Sequence, residues 1–366
     1  MPVYKNPDFR QPPPGLAAIF AAGGQQSFFS LPHWYDLLTR FGLRHGTEIR
    51  VYTDERPGSM LAVPLIMSTS GRLSSLANFY SVEHELIAAP DANFEVGLTA
   101  ILSDITAERP RCSCIRFSEL DPGATSYHAL VRRLRGAGLA VECTPGAATW
   151  YETTIGLDFD RYLADRPSQL RNTCRRKRRR LRTSHTLDFA FFSDRSGVEQ
   201  AVSDYERVYA ASWKEREPFP EFIPSLIRLA AELGALRLGI YYIDGIPAAA
   251  QFWIVWQGRA IIYKLAHNKR FDEFSLGTLL TMEMVERILS TDTPHEINLG
   301  RGDDLYKSLW LSKRRERWGI TAANLRTVDG LWLGLERELA KIYHRLRGQS
   351  ISPPAAATDS ATRNHA

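Results

Sequence analysis

Cysteine is scarce in this chain, and its placement excludes a cysteine-based metal centre. The four residues are Cys112, Cys114, Cys143 and Cys174. The first two stand one residue apart, too close for zinc spacing, and no second close pair accompanies them. They read as free thiols in a reducing cytoplasm, and no metal is expected. Long apolar runs are missing too, which excludes a membrane-spanning helix. Residues 1–24 carry only a brief apolar patch together with Asp8, so a cleaved export signal is not expected there. No repeat shows at the level of residue identity.

Acidic and aromatic residues are both absent from the stretch running from Arg171 to Arg182, which holds eight basic side chains. Taking eight positive charges from the formal net charge of +5 leaves −3, so basicity is local to one element. That argues against a protein that coats nucleic acid over its whole surface. Without aromatics the stretch offers no base stacking. Its expected partners are anionic: a substrate, tRNA or an acidic membrane surface. The expected location is cytoplasmic, or at the inner face of a membrane.

What is present is the composition of a soluble globular protein, 44% hydrophobic and 24% charged. At 366 residues the chain exceeds one typical core, so two domains are expected. The fold class is α/β with mixed sheets. Residues 1–24, rich in Pro and Gly, are expected to be flexible; 25–149 form a first domain and 150–348 a second. The polar, Pro/Ala-rich tail at 349–366 is expected to be disordered. The second half opens with a strand near Trp150 and two helical segments interrupted at Pro167. Three strands follow at 235–243, 246–256 and 259–267. Asp244-Gly245, the pair most favoured for a type I′ hairpin, joins the first two. A helix runs from Leu276 to Leu289, with Ser275 as its N-cap.

Two stretches concentrate chemistry. At the first, a strand, a turn of small and polar residues and a helix N-terminus make an anion-binding arrangement, because the dipole and unpaired N–H groups face the turn. Gly277 would let phosphates approach the backbone, Lys269 and Arg270 would offset their charge, and Ser275 and Thr278 flank the helix start. In the preceding strand, alternation places Ile262, Lys264 and Ala266 on one face and Tyr263, Leu265 and His267 on the other. Lys264 is then a lysine facing a polar cleft or one snorkelling to the surface. His267 ends the strand as a candidate base. The second stretch, NLGRGDDLYKSLWLSK at 298–313, holds two carboxylates, a phenol and a lysine within five positions. The alternative for Asp303 is capping the helix that follows it.

The ordered set LRNTCRRKRRRL, ASWK, YKLAHNKRFDEFSLGTLL and INLGRGDDLYKSLW resembles the acyltransferases grouped with proteins of cellulose and exopolysaccharide biosynthesis. That family lies in the GCN5-related N-acetyltransferase superfamily and is similar to the peptidoglycan-bridge aminoacyltransferases. The resemblance spans roughly residues 27–320 and is strongest from Trp150 onward. It implies two tandem acetyltransferase-like domains, with the intact site in the second, and an acyl-CoA donor. The superfamily's pyrophosphate loop is Gly-rich and led by Arg or Gln. Here the corresponding loop has only Gly277, and an aminoacyl-tRNA donor is the alternative.

Acyl transfer needs a base for the acceptor, a donor for the oxyanion and an acid for the leaving thiolate. Asp303 or Asp304 is expected to take the proton and Tyr306 to supply one or to orient the acceptor, with Lys264 holding a substrate anion and His267 as a further base. Lys307 and Trp310 are expected to wall the acceptor pocket, together with Arg301. No Cys or Ser stands in a nucleophile motif, so direct transfer is expected. The acceptor is an amine or hydroxyl of a sugar, polysaccharide or other cell-envelope precursor. The rival is a protein of this fold that has lost activity and binds anionic surfaces or nucleic acid.

Overall fold

The computed structural model describes residues 2–346, so the tail expected at 349–366 lies outside the described residues. In chain order the elements begin with β1 (Val3–Lys5), α1 (Pro14–Gly23), α2 (Pro32–Phe41), β2 (Glu48–Asp54), β3 (Leu61–Met67), β4 (Arg72–Ser75) and β5 (Ile87–Ala88). Next come α3 (Phe94–Ala107), β6 (Cys114–Leu120), α4 (Thr125–Gly136), β7 (Ala140–Thr153), α5 (Phe159–Ala164) and α6 (Ser168–Ser184). Then follow β8 (Leu187–Phe192), α7 (Val198–Ala210), α8 (Phe222–Glu232), β9 (Leu236–Ile243), β10 (Ile246–Trp256) and β11 (Arg259–His267). The last are α9 (Leu276–Thr291), β12 (Glu296–Arg301), α10 (Leu305–Ser308), β13 (Lys313–Ala323) and α11 (Val328–Leu346).

These elements form two compact units. Among the described residues, one holds 2–39, 43–147 and 316–346, and the other holds 40–42 and 148–315. In the first, β2 and β3 pair antiparallel, β4 runs parallel to β6 across the α3 crossover, and β13 is antiparallel to β6. In the second, β9, β10 and β11 form an antiparallel meander, β12 is parallel to β11 across the α9 crossover, and the end of β7 is antiparallel to β12. The same order of elements therefore occurs twice, each unit a mixed α/β fold.

Two domain expectations need correction. The second unit ends at 315 rather than 348, because the residues from Trp318 to Ala323 satisfy their backbone groups on β6. Trp318, Ile320 and Ala322 also pack into the core of the first unit with Leu65, Leu102 and Leu134. Residues 1–24 are not merely extended: β1 pairs with β2, and α1 buries Leu16, Ile19 and Phe20. The Pro and Gly content has local uses instead. Pro13 and Pro14 preset the helix start, and Gly23 lets α1 lie on β5, where a Cβ would meet the Ala88 carbonyl at 1.8 Å.

In the second unit, α7 and α9 cover opposite faces of the meander. Successive residues show it: the Tyr241 hydroxyl reaches the Leu279 carbonyl of α9 at 3.3 Å, while that of Tyr242 donates to Asp204 of α7 at 2.7 Å. The basic helix α6 docks through a narrow apolar seam, with Leu170, Cys174 and Leu181 buried on the α9 side. Asp244 and Gly245 both take positive φ, as a type I′ turn requires.

Candidate active site

The parallel pair β11–β12 parts early. Pairing runs over Arg259–Glu296, Ala260–Ile297 and Ile261–Asn298 and goes no further, although β11 continues to His267 and β12 to Arg301. The Asn298 side chain accepts from the Gly300 amide at 2.7 Å, turning the backbone away. Gly300 takes φ +66° there, and a Cβ would stand 2.8 Å from the Ile262 carbonyl, so this position requires glycine. Beyond Ile261 the two parallel strands are no longer paired, and Gly277 in the first turn of α9 lies beside Leu265 and His267 at the end of β11.

The start of α9 is open. Ser275 occupies the N-cap position in the left-handed region at φ +54°, and its side chain makes no capping bond. Ser275 is thus a backbone hinge rather than the side-chain cap expected from sequence. Its carbonyl accepts from Thr278 and Leu279, while the N–H groups of Leu276 and Gly277 find no partner among the described residues. A Cβ on Gly277 would meet only His267 Nδ1 and the Leu265 side chain, each at 3.7 Å. Lys269 and Arg270 are exposed in the loop before it. An open first turn, a small residue and two nearby cations fit an anionic group such as a pyrophosphate.

Tyr306 reaches this turn from α10. Its hydroxyl is 3.1 Å from Thr281 Oγ1, and burial raises its pKa against the partial offset of Thr281, Thr278 and Trp310. Behind it runs a buried relay. Trp253 Nε1 donates to Gln251 at 3.0 Å, Gln251 Nε2 donates to Thr281 Oγ1 at 2.6 Å, and Thr281 donates to the Gly277 carbonyl at 2.8 Å. Sequence reasoning missed Gln251, fully buried in β10, although a lone amide in IPAAAQFWIVW was a visible signal. His267 closes the other side. Its Nε2 lies 3.1 Å from Asp272, and with Nε2–H donating there, the buried Nδ1 is left as an acceptor with no partner. Burial lowers its pKa, so the ring is neutral at pH 7.

Other expected residues lie elsewhere. Asp303 is exposed, receives the Trp150 indole N–H at 2.8 Å and pairs with Arg314, whose Nη2 is 2.8 Å away. Arg314 and then Trp150 hold its pKa below the usual carboxylate range, and its carboxylate is bonded to them rather than to the first turn of α10. Lys264 points to the α7 side and donates to Glu217 at 2.6 Å. The expected alternation fails because β11 bulges. Phe252 faces Lys264 while Trp253 faces Ile262, which leaves Tyr263 as an extra residue and reverses the parity beyond it. Lys307 donates to the Arg301 carbonyl at 2.7 Å and to those of Gly300 and Gly302, fastening the loop rather than walling a pocket. Trp310 is fully buried core, and its carbonyl accepts from Tyr162 at 2.6 Å and from Arg166. Arg301 is exposed at the end of β12.

On the basic helix, Arg178 pairs with Glu283 and Arg180 with Glu273. Arg175, Arg176 and Arg179 carry no ion pair among the described residues and line a groove of about 510 Å³. No helix among the described residues is long and apolar enough to cross a membrane.

Residues 168–308 match the family of the acetyltransferase (GNAT) domain. No curated protein sequence matches the chain. Among solved structures, FemX is similar with a TM-score of 0.57 at 10% identity, covering 89% of this chain and 100% of its own. The C-terminal domain of a putative lysylphosphatidylglycerol synthetase from Agrobacterium fabrum gives 0.55 at 13% identity, covering 89% and 96%. L-PGS from Bacillus licheniformis gives 0.54 at 12% identity, covering 92% and 98%. At such identities these likenesses speak for the fold. The matched segment spans α6 to α10, with the parted parallel strands at its centre and a helix opening at the gap, so residues 168–308 are similar to the acetyltransferase (GNAT) domain and the rest of the chain is similar to these structures in fold.

Proposed function

We propose that this chain is an acyltransferase that moves an acyl group from acyl-CoA directly to an amine or hydroxyl of a sugar-containing or other cell-envelope acceptor. The observation that carries this reading is the uncapped start of α9 at the gap between β11 and β12, flanked by a bare imidazole nitrogen and a protonated phenol. The Leu276 and Gly277 N–H groups, with Lys269 and Arg270, would hold the donor's phosphates. A bound thioester supplies the activated carbonyl carbon. Backbone N–H groups freed where β11 bulges and parts from β12 would face the developing oxyanion. His267 Nδ1, neutral and unpartnered, takes over the base role expected of Asp303. Tyr306 keeps its proton and gives it to the leaving thiolate.

A second reading, an aminoacyl-tRNA donor, is favoured by one observation: the unpaired Arg175, Arg176 and Arg179 around their groove, suited to a phosphate backbone. The name of one neighbour, a putative lysylphosphatidylglycerol synthetase, agrees with an aminoacyl donor. Thermal denaturation with each donor separates the two. A ligand at 100 times its Kd stabilises by about 2.7 kcal/mol, an easily read rise in Tm. A rise with acetyl-CoA and none with lysyl-tRNA supports the first reading, and the reverse pattern replaces it with the second. No rise with either would refute both.

A further inference from the structure

On the α7 side of the meander lies a second cavity, of about 460 Å³, that the roles above leave unused. It is bounded by α7, the start of α8 and the segment 211–221 between them. Its apolar wall is Ile223 and Pro224 with the rings of Tyr205 and Tyr209, whose centroids are 5.9 Å apart. Its polar end is unbalanced. Lys264 Nζ lies 2.6 Å from Glu217 Oε1, and the Tyr209 hydroxyl donates to the same oxygen at 2.9 Å. Lys214 lines the cavity without an ion pair among the described residues. Burial, and then the charge of Lys264, push its ammonium down to about 8, opposed only by Glu217. The lining also carries Glu206 and Arg216, so with Lys264 held on Glu217 three cations stand against two carboxylates, and one positive charge is left uncompensated beside an apolar wall.

The cavity adjoins the candidate active site through one residue. Trp213 lays its ring on His267 at 4.4 Å between centroids, and the Lys214 charge contributes to lowering the His267 pKa.

We propose that this cavity holds a small organic carboxylate with an apolar body, gripped by Lys214 against the Tyr205 and Tyr209 rings. One uncompensated charge matches a monoanion better than a phosphate dianion. The anion-binding claim stands on the cavity alone. Only the further step, that the carboxylate belongs to the acyl acceptor, rests on the acyl-transfer reading: a group held at Lys214 would be delivered beside the candidate base. Lys214 is a specificity-determining residue in this scheme, and Lys264 and Glu217 position it.

The test uses 3-phenylpropionate, its neutral amide and phenyl phosphate as probes in titration calorimetry with the full chain. The acid is expected to bind saturably and the amide at least about tenfold more weakly, the size of one charge-assisted hydrogen bond. Lys214→Gln should lose acid binding by a similar factor, and Lys214→Arg should recover part of it. Equal binding of acid and amide, or an unaffected Lys214→Gln, would overturn the proposal. Tighter binding of phenyl phosphate would overturn the choice of carboxylate. Because the acid–amide comparison needs no variant, a misfolded Lys214→Gln does not blunt it. Acetyl-CoA binding is measured in parallel, so failure of the donor reading and failure of this one are told apart.

Discussion

Tyr306→Phe separates chemistry from structure at one atom. The hydroxyl it removes makes a 3.1 Å contact with Thr281, which keeps Gln251 at 2.6 Å and the Gly277 carbonyl at 2.8 Å. Thr281 keeps its other two bonds, so the stability cost is on the order of one neutral hydrogen bond, about 0.5–1.5 kcal/mol. If the phenol protonates the leaving thiolate, its loss removes about 10²–10⁴ from kcat, roughly 2.7–5.4 kcal/mol of barrier. The donor KM should hardly move, because the helix start that holds the phosphates is intact. The assay follows free thiol released from acetyl-CoA with an acceptor present, alongside urea unfolding of the same preparations. In the wild type, burial keeps the phenol protonated above its usual range, so the acid role persists through pH 9. Activity should rise with pH as His267 loses its proton through a pKa below its usual 6.5. A Tyr306→Phe enzyme that keeps a third or more of its kcat would refute the acid role.

Three further outcomes follow from the same geometry. Asp303→Asn should change kcat by less than about threefold, because that carboxylate serves Arg314 and Trp150; a loss of the size general-base catalysis supplies, about 10² or more, would restore the base role read from sequence. Glu152→Gln leaves Arg166 buried without its counter-ion at 2.9 Å and should cost about 3–5 kcal/mol by urea unfolding, and a loss below 1 kcal/mol would show the pair to be hydrated. Replacing Arg175, Arg176 and Arg179 with Gln should lower the log–log salt slope of tRNA binding by about 2–3, and an unchanged slope would remove the basic helix from any polyanion contact.

Local signals in the sequence carried far. The Asp244-Gly245 turn, the three strands it belongs with and the helix opening at Leu276 all stand where local signals place them. The helix start at Gly277, flanked by Thr278 and His267, was legible because strand, turn and helix are contiguous. What failed depended on distant partners. The β11 bulge at Tyr263 is set by pairing with β10, and it moved Lys264 to the opposite face. Asp303 looked chemical in NLGRGDD, yet Arg314 and Trp150 come to it from other strands. The span of the second domain was misjudged because β13 finds its partner in β6, some 200 residues back, and no local pattern announces that. Helix α3 went unread although Asn93 caps it at both Glu95 and Val96.

The central claim is that the first turn of α9 receives the donor's phosphates, and Gly277→Asp tests it most directly. The new side chain meets only ordinary contacts at 3.7 Å, and a carboxylate in the first turn favours the helix dipole, so the variant should fold. Calorimetric titration with acetyl-CoA should show saturable binding to the wild type and binding at least about tenfold weaker to Gly277→Asp, where one charge opposes another. Equal affinity in the two proteins, or no binding to well-folded wild type, would contradict the account.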